Sequence, residues 1–268
     1  MPVPLHTTGK ASFDHIYDRP DPREYYARMS ELDYRIPELA KPFFEQQITE
    51  LRAAAPDRSP TVLDIGCSYG VNTALLLSGV GIDALSAHYR DAGEIDRAAL
   101  LERDRSRLAR GERYDDVRFI GVDASRPALD YAAAAGFVHE TVHADLEATD
   151  PTDEQRAVLA TADLVISTGC IGYVTEKTLV RIATADADRR PWMAHFVLRM
   201  FDFDPIAEEL AALGYRTERL PGLYEQRRFA SDSEREQVLN TLADKGVDTA
   251  GREDYGWLYA ALYVSRPA

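Results

Sequence analysis

The sequence predicts an α/β fold in which a mostly parallel sheet is covered by helices on both faces. Three observations carry this. Short apolar runs of strand length alternate with amphipathic runs of helix length through most of the chain. Several strand runs end in an acid or a glycine turn, the place where such sheets bind ligands. The 268 residues are 45% hydrophobic, enough for one large core with additions.

The elements follow in order. Residues 1 to 20 read as irregular and include Phe13, His15 and Tyr17. Pro20 and Pro22 bracket a helix start at Asp21. Apolar residues at helical spacing then occupy 24–32 and 36–55, and Pro56 and Pro60 close that region. Residues 61–65 form a short apolar strand, and 71–78 the helix after its loop. Residues 82–110 are heavily charged, with a single apolar stripe of Leu85, Tyr89, Leu100, Leu101 and Leu108. They read as an inserted helical segment with Asp83 as N-cap. Next come a strand at 117–122 ending in Asp123, a helix at 127–135 stopped by Gly136, and a strand at 138–144 ending in Asp145. A helix at 153–160, a strand at 164–167, a helix at 176–184 and a strand at 192–200 continue the alternation. A helix at 205–213 closed by Gly214 precedes strands at 215–220 and 257–264, with a polar helix at 231–245 between them. The expected division is a helical lid or cap over 1–58 and a main domain over 59–268. The main domain carries the insertion 82–111 and a cap segment 222–254.

Composition narrows the function. A net charge of -14 repels phosphate backbones and anionic lipid, so neither nucleic acid nor membrane is an expected partner. Two cysteines, Cys67 and Cys170, are too few for a disulfide framework or a zinc knuckle, so a reducing cytoplasm is expected and no metal is called for. The start of the chain lacks the apolar run of a signal peptide. A homodimer is left open.

Val62-Leu63-Asp64-Ile65-Gly66-Cys67-Ser68-Tyr69-Gly70 has two readings. As text, Gly66 to Gly70 satisfies G-x-S-x-G, the nucleophile elbow of an α/β-hydrolase with Ser68 as nucleophile. That elbow needs an upstream oxyanion loop, then an acid and a histidine downstream. No His-Gly-Gly stretch precedes it, and His195 is the last histidine, leaving Asp163 with His195. As physics, the stretch is an apolar strand with one acid that ends in a glycine loop opening a helix, which is a nucleotide cradle. The dinucleotide pattern G-x-G-x-x-G is absent, which favours a nucleoside without phosphates.

On these residues the chain resembles the class I S-adenosylmethionine-dependent methyltransferases. Residues 62–70 look like the family's first motif. Phe119-Ile120-Gly121-Val122-Asp123 looks like the second strand with its ribose-binding acid. His143-Ala144-Asp145-Leu146 resembles the adenine-contacting turn, and Asp163-Leu164-Val165-Ile166-Ser167-Thr168 the motif that flanks the methionine part of the cofactor and the substrate. The resemblance covers roughly 60–265 and implies a Rossmann-like seven-stranded sheet with an antiparallel last strand. It also implies S-adenosyl-L-methionine as cofactor, held by Asp64, Gly66, Cys67, Ser68, Gly70, Asp123, Ala124, Asp145, Leu146, Ser167 and Thr168. One departure matters: Asp123 lies far beyond the usual spacing from the glycine loop, and Asp83 lies nearer it. The segment 82–90 lacks strand character, so Asp123 is the expected ribose acid.

The other candidates were weighed by chemistry. His15 sits in an irregular segment that family members close over the site, so His15 is the expected base and Tyr173 the expected second catalytic group. Tyr17, Tyr25, Tyr26, Arg199 and Tyr224 are the expected substrate contacts, with Phe229 and Tyr255 lining the pocket. His195 lies within a strand and reads as a satisfied core residue. The expected activity is methyl transfer to a small molecule, on oxygen. A serine hydrolase and a non-catalytic binding protein are the alternatives.

Overall fold

The computed structural model describes residues 6, 8–11, 13–108 and 113–268. The end of the expected insertion, at 109–111, and the first five residues lie outside them. Strand order is β3-β2-β1-β4-β5-β8-β6. β1 (Thr61–Ile65), β2 (Arg118–Asp123), β3 (Glu140–His143), β4 (Leu164–Thr168) and β5 (Trp192–Leu198) are parallel. β8 (Trp257–Pro267) runs antiparallel to β5 and carries β6 (Tyr215–Arg219) on its other side.

The sheet therefore has the expected seven strands, mostly parallel with the last antiparallel, plus one short strand that was not expected. β7 (Tyr224–Arg228) pairs with the first residues of β8, inside the segment read as a cap. Its sequence Tyr-Glu-Gln-Arg-Arg has no apolar alternation to announce it. A register shift between Glu225 and Arg227 explains its odd burial: Gln226 and Arg227, consecutive residues, are both buried. A bulge re-aims a side chain in this way.

Alternation along β1 splits the core. Val62 faces Phe44 and Ile48 of α3 (Ile36–Ala54) together with Phe119, Ile166 and Phe196. Leu63 and Ile65 face the opposite layer, which holds Leu159 of α8 (Asp153–Leu159), Leu179 and Ile182 of α9 (Glu176–Ala183), and Ile206 and Leu210 of α10 (Asp204–Ala212). Thus α3, although part of the segment expected to be a lid, is a packing layer of the sheet. A third cluster joins α2 (Arg23–Glu31) to α4 (Val71–Ser78), α7 (Arg126–Ala135) and the insertion.

The insertion is two helices, α5 (Ile82–Arg90) and α6 (Arg97–Leu108), fastened by a buried carboxylate. Asp104 accepts from Tyr131 at 2.6 Å and Tyr89 at 3.1 Å, and lies 2.7 Å from His88 Nε2. Tyr89 in turn stacks on Tyr26 of α2, with centroids 4.5 Å apart. The insertion thus braces the N-terminal helices. No helix among the described residues is long and apolar enough to cross a membrane.

Candidate functional site

A cavity of about 490 Å³ lies at the carboxyl ends of β1 to β4. Its floor is made of four strand-end turns, at 65–68, 122–125, 144–147 and 168–170. Its roof includes Lys10, Phe13, Tyr17, Tyr25, Met29 and Tyr34, and β7 closes one side with Gln226 and Arg227.

The glycine loop is a cradle by necessity. Gly66 has φ +63°, and a Cβ there would stand 2.7 Å from the Cβ of Cys170. Only glycine both adopts that backbone and clears the neighbouring strand end. Ser68 also has positive φ, at 52°. Its amide donates to Asp123 Oδ2 at 2.8 Å, while the Ser125 amide donates to Oδ1 at 2.8 Å. Asp123, at the end of β2, is thereby aimed into the cavity. Burial raises its pKa above the ordinary range, against the pull of the Ser125 and Ser68 amides.

Asp64 lies just beneath the loop. Its Oδ1 accepts from Asn72 at 2.9 Å, and Asn72 Oδ1 accepts from Thr168 at 3.0 Å. Burial pushes Asp64 up to about 7, and Asp123 adds to the rise despite the Asn72 hydrogen bond. Asp64 Oδ2 and Ser68 Oγ are buried without a hydrogen-bond partner. Orphaned polar atoms under a glycine cradle are what a polar ligand satisfies on binding. At the far rim, Asp145 lines the cavity while accepting from the amides of Glu147 and Ala148 at 3.0 and 3.2 Å.

The roof is tied to the floor by residues next to the cradle. The Tyr69 hydroxyl lies 2.8, 3.1 and 3.0 Å from the carbonyl oxygens of Ile16, Tyr17 and Arg19, and accepts from the Arg19 amide at 3.2 Å. Ser125 Oγ donates to Tyr17 O at 2.8 Å. Tyr69→Phe is expected to cost about 1–2 kcal/mol. Backbone amide exchange should quicken over 16–20 while the sheet stays protected. Unchanged exchange there would remove Tyr69 as the tie.

The structure brings together Gly66, Cys67, Ser68, Asp123, Ala124, Asp145, Leu146, Thr168, Tyr173, Tyr17 and Tyr25 around the cavity. Asp64 supports them from below. Asp83, the rival ribose acid, is exposed on α5.

Other expectations are corrected. His15 is exposed, because the turn at 13–17 directs Phe13 and Ile16 inward. Tyr26 is absorbed by its stack on Tyr89. Arg199 pairs with Glu253 at 2.8 Å and donates to Asp248 O at 2.6 Å, away from the cavity. Tyr224 packs edge-on against Phe43 and Phe196 at 5.3 and 5.2 Å. Phe229 joins a separate apolar cluster, and Tyr255 is exposed. Ser167 turns from the cavity to His195 Nδ1 at 2.8 Å. Gly70 holds the left-handed turn that starts α4 and does not line the cavity.

Lys10, Asn72, Glu147, Gln226 and Arg227 line the cavity and were not anticipated. Asn72 alone carried a signal, a large polar side chain on an otherwise buried helix start. His6 also lines the cavity, in edge contact with Tyr173 at 4.7 Å. The Thr8 amide donates to its Nδ1 at 3.2 Å.

The hydrolase machinery is not assembled. Ser68 Oγ has no hydrogen-bond partner, His195 is engaged with Ser167, and Asp163 binds the Thr61 amide at 2.9 Å.

No protein-family profile and no curated protein matches the chain. Solved structures do. A TehB-like S-adenosylmethionine-dependent methyltransferase from Corynebacterium glutamicum is 15% identical, over 85% of this chain and 100% of its own, with a TM-score of 0.39. Magnesium protoporphyrin IX methyltransferase from Synechocystis, with bound S-adenosylmethionine, is 13% identical over 83% and 79%, TM-score 0.37. A methyltransferase from Geobacter sulfurreducens in complex with S-adenosylhomocysteine is 13% identical over 83% and 91%, TM-score 0.34. These likenesses concern fold alone. The strand order, with β8 antiparallel beside β5, is itself the class I methyltransferase fold that the four motifs implied.

Proposed function

We propose that the chain is an S-adenosylmethionine-dependent methyltransferase acting on an oxygen atom of a small molecule. One observation carries the reading. The Gly66 cradle, Ser68 with its unpartnered hydroxyl and the Asp123 carboxylate line one cavity at the strand ends, with the unpartnered Asp64 oxygen just beneath the cradle. S-adenosylmethionine, when bound, supplies a methyl group already activated on a sulfonium. Asp123 and the turn at 144–147 would hold the nucleoside, and Gly66, Ser68 and Thr168 the amino-acid end.

The remaining work of the protein is alignment and exclusion of water. The roof over 13–34 does this, with aromatic walls suited to a small, flat acceptor. Burial holds the Tyr17 hydroxyl well above its ordinary pKa and lifts Tyr34 to about 12, so both stay protonated. They supply hydroxyl hydrogen-bond donors to the wall. Such a wall orients an oxygen through its lone pairs, which supports oxygen as the accepting atom.

Calorimetric titration of S-adenosylmethionine and S-adenosylhomocysteine into the protein tests the cofactor. Micromolar binding is expected, and absence of binding would sink the reading. Transfer of a labelled methyl group to any acceptor separates an enzyme from a binding protein. Ser68→Ala is expected to weaken cofactor binding less than about tenfold, the worth of one neutral hydrogen bond. An esterase activity that vanished in Ser68→Ala would reinstate the hydrolase.

A further inference from the structure

One wall of the cavity holds two basic side chains, Lys10 and Arg227, and the Glu234 carboxylate is bonded to Arg227. Arg227 and Glu234 are both buried and bonded bidentately, at 2.8 and 2.7 Å. Glu234 also accepts from the amides of Ala11 and Ala230 at 2.7 and 2.8 Å, so four donors fill its oxygens. Lys10 is not among them. It is buried, lines the cavity and donates to the Gly169 carbonyl at 2.9 Å, with its ammonium 5.1 Å from the Tyr173 ring centre. Among the described residues it makes no ion pair. Its remaining hydrogens have no acceptor there.

A buried ammonium without a counter-ion is costly, and an apolar side chain would fill the same space without that cost. Burial, and after it the Arg227 charge, lower Lys10 to about 7. With Lys10 protonated and Glu234 filled by its own four donors, the wall is short of one negative charge, and the shortfall faces the space a ligand would enter.

We infer that Lys10 is the docking point for a carboxylate of the bound small molecule, carried either by the amino-acid end of the methyl donor or by the acceptor. Both sources rest on the methyltransferase reading; a carboxylate site at Lys10 does not. Gly169 lies beside Cys170, which abuts Gly66, so the ammonium stands over the junction between cradle and roof. Either carboxylate would take the free hydrogens of Lys10, with Glu234 kept for Arg227.

The test compares wild type, Lys10→Met and Lys10→Arg by calorimetry. The first arm uses S-adenosylhomocysteine and 5′-methylthioadenosine, which lacks the amino-acid carboxylate. A loss of about 10- to 100-fold for S-adenosylhomocysteine in Lys10→Met is expected if the donor is the source. Methylthioadenosine should then bind equally to all three, which also shows that the variant is folded. Lys10→Arg should recover part of the loss. The second arm titrates benzoate and benzamide into protein saturated with S-adenosylhomocysteine. Benzoate binding that is lost in Lys10→Met, with benzamide not distinguished, assigns the acceptor. Equal affinity of wild type and Lys10→Met for both S-adenosylhomocysteine and benzoate overturns the inference. Wild type that binds neither nucleoside overturns the methyltransferase reading instead, and benzoate and benzamide titrated into the unliganded protein and Lys10→Met then decide Lys10.

Discussion

Asp123→Ala is expected to weaken S-adenosylhomocysteine binding by about 100-fold or more. A carboxylate that accepts two ribose hydroxyls makes two charge-assisted hydrogen bonds, each worth about 1.5–3 kcal/mol. The substitution has a second effect, because Asp123 also receives the amides of Ser68 and Ser125. Without it the Ser68 turn, already at φ 52°, loses the partner that holds it in that conformation. Asp123→Asn keeps acceptor capacity for part of this set and should fall between alanine and wild type. Asp83→Ala is the control. It is exposed on α5 and should leave binding unchanged, so a loss there of the size reserved for Asp123 would show that the ribose acid has been misplaced.

That control exists because the sequence made the choice difficult. Spacing pointed to Asp83 and strand character to Asp123, and the structure explains the discrepancy. Two helices stand between α4 and β2, and they bury Leu85, Tyr89, Leu100 and Leu101 in one apolar cluster with α2, α4 and α7. Strand ends were legible because buried parallel strands are short apolar runs with an acid or glycine after them. β1 and α4 begin and end at the residues the pattern gave. The roof was legible only as aromatic content. Which aromatic faces the cavity depends on tertiary contacts that no local period encodes: Tyr25 lines it, and its neighbour Tyr26 is taken by Tyr89. The same holds for the histidines: His15 is exposed and His6 lines the cavity, and no local period separates them. β7 was illegible because its burial is polar. A strand whose buried residues are Gln226 and Arg227 is recognised only once the bulge and the buried Glu234 are seen.

That buried pair carries the largest stability effect expected. Glu234→Ala leaves Arg227 in the interior with no counter-charge and strips the Ala11 and Ala230 amides of their acceptor. The expected cost is about 3–5 kcal/mol, the range for breaking a buried ion pair from one side. In a chain of this size that lowers the melting temperature by roughly 10 °C. The double variant Arg227→Met, Glu234→Leu removes both charges and should lose less than Glu234→Ala alone, because what destabilises is the stranded charge. A double variant less stable than Glu234→Ala would mean that packing, and not charge, sets the cost. Acid gives an independent check. Burial raises the Glu234 pKa, but the Arg227 hydrogen bonds and charge outweigh it and hold the carboxyl below its ordinary value of 4.5. A depressed folded-state pKa contributes stability that is fully present above the unfolded value and disappears as pH falls through the folded one. The gap between wild type and Glu234→Ala should therefore stay open from neutral pH down to about 4.5 and close only below it. A gap that closed near neutrality would place the titrating group elsewhere. The same variant reaches the cavity, since Lys10 precedes Ala11 and Arg227 lines the wall. Stability and ligand binding should fall together in Glu234→Ala, whereas Lys10→Met should weaken binding without lowering stability.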